Sequence, residues 1–69
     1  MRLRYDPESD VLMLLLSDDR PVDAVEEPGG VVVSYGDDRR PCSIEFLQAS
    51  RHHLVEGGRI QIQVEQPGA

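Results

Sequence analysis

Three carboxylates lie close together near the start of the chain, in the stretch YDPESD at residues 5–10. Asp6, Glu8 and Asp10 are spaced two residues apart, a pattern that binds Ca²⁺ in some loops. The glycine and the distal glutamate of a full calcium loop are missing here. Pro7 suits the second position of a turn and Asp6 the first, because the Asp6 carboxylate can accept from backbone amides ahead of it. We interpret the stretch as a hairpin turn. The alternative is a metal-dependent binder or enzyme that uses Asp6, Glu8 and Asp10.

The other residues capable of chemistry do not form a complete set. Cys42 is the single cysteine, and a nucleophilic thiol needs a base positioned beside it. His52 and His53 are adjacent, so on a helix they would point about 100° apart, whereas one metal ion needs ligands three or four residues apart. Glu45 is expected at a solvated or interface position. The sequence therefore predicts no enzymatic activity, no cofactor and no metal.

Short segments of alternating apolar residues, separated by turn residues, make up most of the chain. Alternation with period two and a high content of β-branched residues are typical of strands. The connections are short, which favours antiparallel pairing of neighbours. The predicted strands are residues 2–5, 11–16, 22–27, 31–35, 42–47 and 60–64.

Residues 49–56, ASRHHLVE, break this alternation and contain neither glycine nor proline. Ser50 could cap a short helix, and the Gly57-Gly58 pair would end it. The predicted fold is therefore a single domain, residues 1–69, of the α+β class. It consists of an antiparallel β meander of four to five strands with one short C-terminal helix.

Length and charge restrict the classes of partner. The chain has 69 residues and a formal net charge of −6, which disfavours general binding to nucleic acid because Lys and Arg contacts to phosphates dominate that affinity. Its longest apolar run, VLMLLL, has six residues, whereas a membrane-spanning helix needs roughly 20. The start, MRLRY, lacks the pattern of a signal peptide. We expect a cytoplasmic protein that binds neither nucleic acid nor membrane.

The second predicted strand is apolar on both faces. One short helix can cover only one face of a sheet, and a chain of this size has a marginal core. We therefore expect a homodimer or a higher even oligomer. The inner face would carry Leu12, Leu14 and Leu16, and the interface would carry Val11, Met13 and Leu15.

Two stretches, RYDPESDVLMLLLSD and GVVVSYGDDRRPCSIEFLQAS, resemble the bacterial family catalogued as domain of unknown function 2283. The resemblance covers about residues 2–54, and its two motifs agree in order and spacing. Ser34 and Gly36 stand where the family favours Asp, and the residues after 56 lie outside the pattern. The matching positions are Tyr5, Asp6, Glu8, Asp10, Leu12, Leu14, Leu16, Gly30, Val31, Val33, Tyr35, Ile44, Glu45, Leu47, Ala49 and Ser50.

The resemblance implies no enzymatic activity and no cofactor. Some family members resemble the small partner encoded beside a ribonuclease-like toxin. The resemblance thus implies a protein-interaction module with an antitoxin-like role, whose partner would be a small basic toxin-like protein. An acidic protein could cover the basic face of such a toxin by charge complementarity.

Overall fold

Five short strands form one antiparallel sheet in the order β1-β2-β5-β4-β3. They are β1 Arg2–Asp6, β2 Val11–Leu15, β3 Asp23–Glu27, β4 Val31–Tyr35 and β5 Pro41–Phe46. This computed structural model describes residues 1–68. No helix forms within those residues, so the class is all-β, and the α+β prediction is wrong. A helix able to cross a membrane is likewise absent from this part of the chain.

The predicted meander is also wrong, because the strands do not lie in chain order. β5 lies in the centre of the sheet, between β2 and β4, and the hairpins β1–β2 and β3–β4 flank it. The edge strands are β1, which carries two arginines, and β3, whose five residues are all exposed. Charged edges resist pairing with other chains, and the more apolar strands accordingly occupy the interior positions.

The connection between β2 and β3, residues 16–22, runs along one end of the sheet. The Leu16 N–H donates to the Cys42 carbonyl at 2.9 Å, and the Val22 N–H donates to the Tyr35 carbonyl at 2.9 Å. Gly36 lies under this connection, because a Cβ built there would lie 3.4 Å from the Asp19 Cβ. A side chain at Gly36 would therefore touch Asp19 of this connection.

Residues 47–56 form consecutive turns where the helix was predicted over 49–56. The Arg51 N–H donates to the Gln48 carbonyl at 3.0 Å, and the Leu54 N–H donates to the Ala49 carbonyl at 3.0 Å. Gln48 and His53 have φ values of 52° and 60°, in the left-handed region that interrupts a right-handed helix. These reversals turn the apolar residues of the segment towards the sheet.

Residues 60–64 also form no strand, although their alternation predicts one. The backbones of Glu56 and Arg59 exchange two hydrogen bonds around the Gly57-Gly58 turn. This turn directs Ile60 and Ile62 over the sheet, where they line a cleft with Leu3 and Leu12 rather than pairing along an edge. Extended alternation therefore does not produce a strand here, because a strand also needs a neighbour to pair with.

The strand register assigns side chains to two faces of the sheet. The front face carries Leu12 and the back face carries Met13. Residues 49–60, the covering segment, pack on the front face. Leu12, Ala49 and Val55 form the buried cluster there, and Tyr5, Phe46, Leu54 and Ile60 pack against it. Within residues 1–68 the buried apolar residues are these three and Cys42. The core is therefore small and confined to one part of the front face.

Candidate functional site

The acidic stretch near the N-terminus holds the covering segment in place through Asp10. The Tyr5 hydroxyl donates to Asp10 Oδ1 at 2.7 Å, and the Ser50 hydroxyl donates to Asp10 Oδ2 at 2.6 Å. The Ser50 N–H donates to Asp10 Oδ1 at 3.1 Å, and the Ala49 N–H donates to the Asp10 carbonyl at 3.0 Å. Asp10 thus connects the first hairpin to residues 40 positions later in the chain.

Ser50 therefore has a different role from the helix cap that its sequence position suggests. Its hydroxyl and its N–H both bind Asp10 rather than a backbone N–H two or three residues later. Asp10 itself has a φ of 56°. Asp tolerates this left-handed conformation better than most residues, so the residue that closes the turn can also present its carboxylate to Ser50.

Asp6 closes the hairpin loop locally, as the turn interpretation predicts. Its Oδ1 accepts from the Glu8 N–H at 3.0 Å, and its Oδ2 accepts from the Ser9 hydroxyl at 2.9 Å. Both bonds satisfy polar groups of the loop without help from the rest of the protein. The Asp-Pro sequence thus has a structural explanation within four residues of the chain.

These hydrogen bonds shift the pKa values of three side chains in consistent directions. The Ser50 hydroxyl, and after it the Tyr5 hydroxyl, lower the pKa of Asp10. The Ser9 hydroxyl and the Glu8 N–H lower the pKa of Asp6. The bond from the Tyr5 hydroxyl to Asp10 raises the pKa of Tyr5. Each shift favours the protonation state that maintains the bond: charged carboxylates and a neutral phenol.

The geometry gives no support to a metal site at Asp6, Glu8 and Asp10. Two of these carboxylates already accept hydrogen bonds within the protein, and Glu8 is exposed. Nowhere in residues 1–68 do three His, Cys, Asp or Glu side chains come together in a way that could hold an ion. The arrangement that the structure does show is one of structural hydrogen bonds.

We expect the double variant Asp6→Ala/Glu8→Ala to remain folded and to lose only a few degrees of thermal stability, because Asp6 contributes one local turn. Excess Ca²⁺, Mg²⁺ or Zn²⁺ should leave the midpoint of thermal unfolding unchanged in both proteins. Differential scanning fluorimetry measures this. A metal-dependent rise of the wild-type midpoint that the double variant lacks would instead establish the metal-site alternative.

The other candidate residues do not come together either. Cys42 is buried, and its Sγ donates to the Ser34 carbonyl at 3.4 Å. His53 Nδ1 lies 3.2 Å from Glu56 Oε1 on the surface, and His52 is exposed. Glu45 is half-buried on the back face beside Met13. No catalytic pair of the kind that a thiol nucleophile requires is formed among these residues.

The predicted interface residues Val11, Met13 and Leu15 lie together on the back face and are half-buried. Charged or polar side chains flank each of them in the register. Asp6 pairs with Val11, Arg4 with Met13, and Arg2 with Leu15 across the β1–β2 ladder. Nothing in the structure tests whether a partner covers them, and the interface assignment stays a prediction.

Sequence reasoning did not find a second apolar surface, on the front face. One row of paired residues runs across the sheet from β1 to β3. In spatial order it consists of Leu3, Leu14, Ile44, Val33 and Val25. We call this row, which crosses all five strands, the apolar band. Leu3 and Val25 at its ends are 40% and 41% exposed. Alternation in each strand suggests the face of each residue, but only the register reveals that the five form one line.

Acidic side chains are concentrated along the β3 edge and at one end of the sheet. Asp23, Glu26 and Glu27 are exposed on β3. Asp19, Asp37 and Asp38, together with Arg20 and Val22, line a depression at the end where the β2–β3 connection passes. The opposite edge strand, β1, carries the exposed Arg2 and Arg4. The two edges of the sheet thus differ in the sign of their charge.

Comparison with known proteins gives one match. The model of the family described as "Protein of unknown function (DUF2283)" matches residues 2–50. No curated protein and no solved structure matches the chain. The matched region contains all five strands and the Tyr5–Asp10–Ser50 network. Because the match covers most of its length and confirms the resemblance seen in its motifs, the chain belongs to the DUF2283 family.

Proposed function

We propose that the protein is a non-catalytic protein-interaction module that acts as a homodimer. The observation that carries this proposal is the small extent of the core relative to the apolar surface of the sheet. Four apolar side chains are buried within residues 1–68, while apolar residues of β2 point to both faces. A protein of this size usually needs a partner, a metal or a disulfide to be stable, and Cys42 is its single cysteine.

The accessible surface supports the same proposal. The folded chain exposes 5649 Å², whereas a compact protein of 7.7 kDa exposes about 4,300 Å². The difference of about 1,300 Å² exceeds the roughly 800 Å² that each partner buries in a stable complex. The extended residues 61–68 contribute part of this difference, and the half-covered sheet contributes another part. A second copy would remove from water the part of this surface that belongs to the sheet.

We further propose that the interaction module has an antitoxin-like role and binds a small basic, ribonuclease-like protein. Its support is the formal charge of −6 and the exposed carboxylates of the β3 edge, Asp23, Glu26 and Glu27. Complementary charge accelerates the encounter of two proteins and selects against partners of the wrong sign. The dimer and the acidic edge would then serve different contacts.

Size-exclusion chromatography with light scattering, at micromolar concentration, tests the homodimer. We expect a mass of twice 7.7 kDa. A folded monomer at every concentration would refute the homodimer.

For the antitoxin-like role, the test is co-purification with the product of a neighbouring gene that encodes a small basic protein. We expect a complex at low salt that weakens as the salt concentration rises. A neighbouring basic protein that never binds would refute the antitoxin-like role.

A further inference from the structure

We infer that a second copy of this chain packs on the back face of the sheet, with Arg4 of each copy paired to Glu45 of the other. This contact rests on the proposed homodimer and identifies its surface and its orientation. The front face is already occupied by the chain's own covering segment, whose Val55 is buried in one cluster with Leu12. A second copy therefore finds its place on the opposite side of the sheet.

The apolar part of the back face follows β2. Val11, Met13 and Leu15 lie on this face at alternate positions, and each is half-buried, so that part of its surface still faces water. The buried cluster under the covering segment contains none of the three. Packing against a second copy would remove the remaining apolar surface from water, which is favourable in proportion to its area.

Opposite charges lie on the two sides of this apolar column. In the strand register, Met13 is between Arg4 on β1 and Glu45 on β5. Each of these strands is one strand spacing, about 4.8 Å, from β2. The ion pairs formed within residues 1–68 include neither Arg4 nor Glu45. The back face thus presents one positive and one negative side chain, placed symmetrically about β2.

The other charged side chains on this face of β1 are bound within their own chain. Arg2 Nη2 donates to Asp18 Oδ1 at 3.1 Å. The carboxylate of Asp6 accepts two hydrogen bonds from its own hairpin loop, at 3.0 and 2.9 Å. Among the described residues on the back face of β1, β2 and β5, Arg4 and Glu45 are therefore the charges left for a partner to pair.

Two-fold symmetry about an axis that runs parallel to the strands and passes over β2 pairs both charges. Rotation about this axis exchanges the two sides of β2, so Arg4 of each copy lies opposite Glu45 of the other, and symmetry forms the ion pair twice. Met13 meets its own counterpart on the axis. An axis perpendicular to the strands would instead place Arg4 over Arg4 and Glu45 over Glu45, and like charges across an interface are costly.

The position of the axis also determines how far the two sheets overlap. β1 of each copy lies over β5 of the other, so β4 and β3 extend beyond the contact. The acidic β3 edge then stays exposed for the basic partner proposed above. An axis over β5 would overlap all five strands, but it would bring the two copies of Glu45 together.

Charge reversal tests the pairing. Arg4→Glu places carboxylates opposite each other at both contacts, and Glu45→Arg places guanidinium groups opposite each other. We expect each variant alone to be monomeric by light scattering after size exclusion, at a concentration at which the wild type is dimeric. An equimolar mixture of the two variants has opposite charges at both contacts, and we expect it to form a heterodimer. A mixture of folded variants that stays monomeric would overturn the pairing.

The matched control is Glu26→Arg. Glu26 lies in the same row of the back face as Glu45, but on β3, outside the overlap. This variant changes the charge of each copy as much as Glu45→Arg does, and we expect it to remain dimeric. Dissociation of Glu26→Arg would overturn the placement of the axis over β2, because an axis over β5 would set Glu26 opposite Arg4.

Neutral substitutions keep the inference testable if the reversed variants fail to fold, which circular dichroism reveals. Arg4→Gln and Glu45→Gln should each raise the dissociation constant about tenfold, because symmetry removes two ion pairs at once. If the two residues pair, the double variant should dissociate no more readily than either single variant. Independent effects that multiply in the double variant, or no effect of either substitution, would contradict the pairing.

The outcomes separate this contact from the proposed homodimer. A wild-type protein that is monomeric at every concentration refutes both. A wild-type dimer that tolerates both charge reversals refutes this contact alone. Monomeric single variants whose mixture is dimeric, together with a dimeric Glu26→Arg, support both.

Discussion

Replacing Leu12 with alanine should cause the largest loss of stability of any single substitution in this protein. Leu12 is 5% exposed and belongs to the buried cluster with Ala49 and Val55. A Leu→Ala change at such a site costs about 2–5 kcal/mol through lost transfer energy and a residual cavity. A chain of this length has a total stability of only about 3–10 kcal/mol. We therefore expect much of the Leu12→Ala protein to be unfolded in buffer at room temperature.

Urea denaturation followed by circular dichroism measures this effect. Leu16→Ala is the matched control, because the chemical change is identical while Leu16 is 39% exposed. We expect the control to shift the midpoint much less than Leu12→Ala. Equal shifts for the two variants would contradict the view that the small cluster under the covering segment is the main core of the protein.

The second large effect should follow from Asp10→Asn. This change keeps a residue that tolerates the φ of 56° but removes the charge that binds Ser50 and Tyr5. The covering segment then loses its main polar attachment to the first hairpin. We expect a clear fall in the thermal midpoint at neutral pH, larger than that of Ser50→Ala, which leaves the bond from Tyr5 in place. An unchanged midpoint would show that the apolar cluster alone holds the segment.

The pH dependence of stability provides an independent test of the hydrogen bonds among Tyr5, Asp10 and Ser50. The folded pKa of Asp10 lies below its ordinary value of 3.8. Its contribution is therefore present above pH 3.8 and is lost as pH falls towards the folded pKa. The folded pKa of Tyr5 lies above its ordinary value of 10.0. Its contribution is present below pH 10.0 and is lost as pH rises through the folded pKa.

Thermal midpoints across the pH range test both directions. Asp10→Asn should flatten the acid limb of the wild-type profile. The remaining slope would come from groups such as Asp6, whose folded pKa is also lowered. Tyr5→Phe keeps the ring but removes the hydroxyl, so it should flatten the alkaline limb and flatten the acid limb only in part, because Ser50 still lowers the pKa of Asp10. An acid limb as steep in Asp10→Asn as in the wild type would contradict the role assigned to the Asp10 carboxylate.

The sequence by itself determined where the strands lie, up to the end of β5 at Phe46. Alternation located all five strands to within one or two residues, because each strand needs only the period of its own side chains. The Asp-Pro turn was equally predictable, since Asp6 bonds to groups two and three residues away. The two motifs also identified the family that the model over residues 2–50 confirms.

Tertiary structure decided the features that depend on residues distant in the chain. Residues 49–56 have a composition that permits a helix, but in the folded chain Ala49 and Val55 are buried against Leu12 and Ser50 bonds to Asp10. The alternation of residues 60–64 is that of a strand, but the Glu56–Arg59 turn carries them over a face and away from an edge.

The order of the strands had the greatest consequence, and local patterns contain no information on it. Each strand in isolation specifies its two faces but not its neighbours, because pairing energy comes from side chains on another part of the chain. Placing β5 between β2 and β4 aligned Leu14, Ile44 and Val33 on the front face. The tertiary structure alone therefore created the apolar band. Sequence reasoning could compare only the residues within a single strand, and its assignment of the interface to the opposite face of β2 stays a prediction.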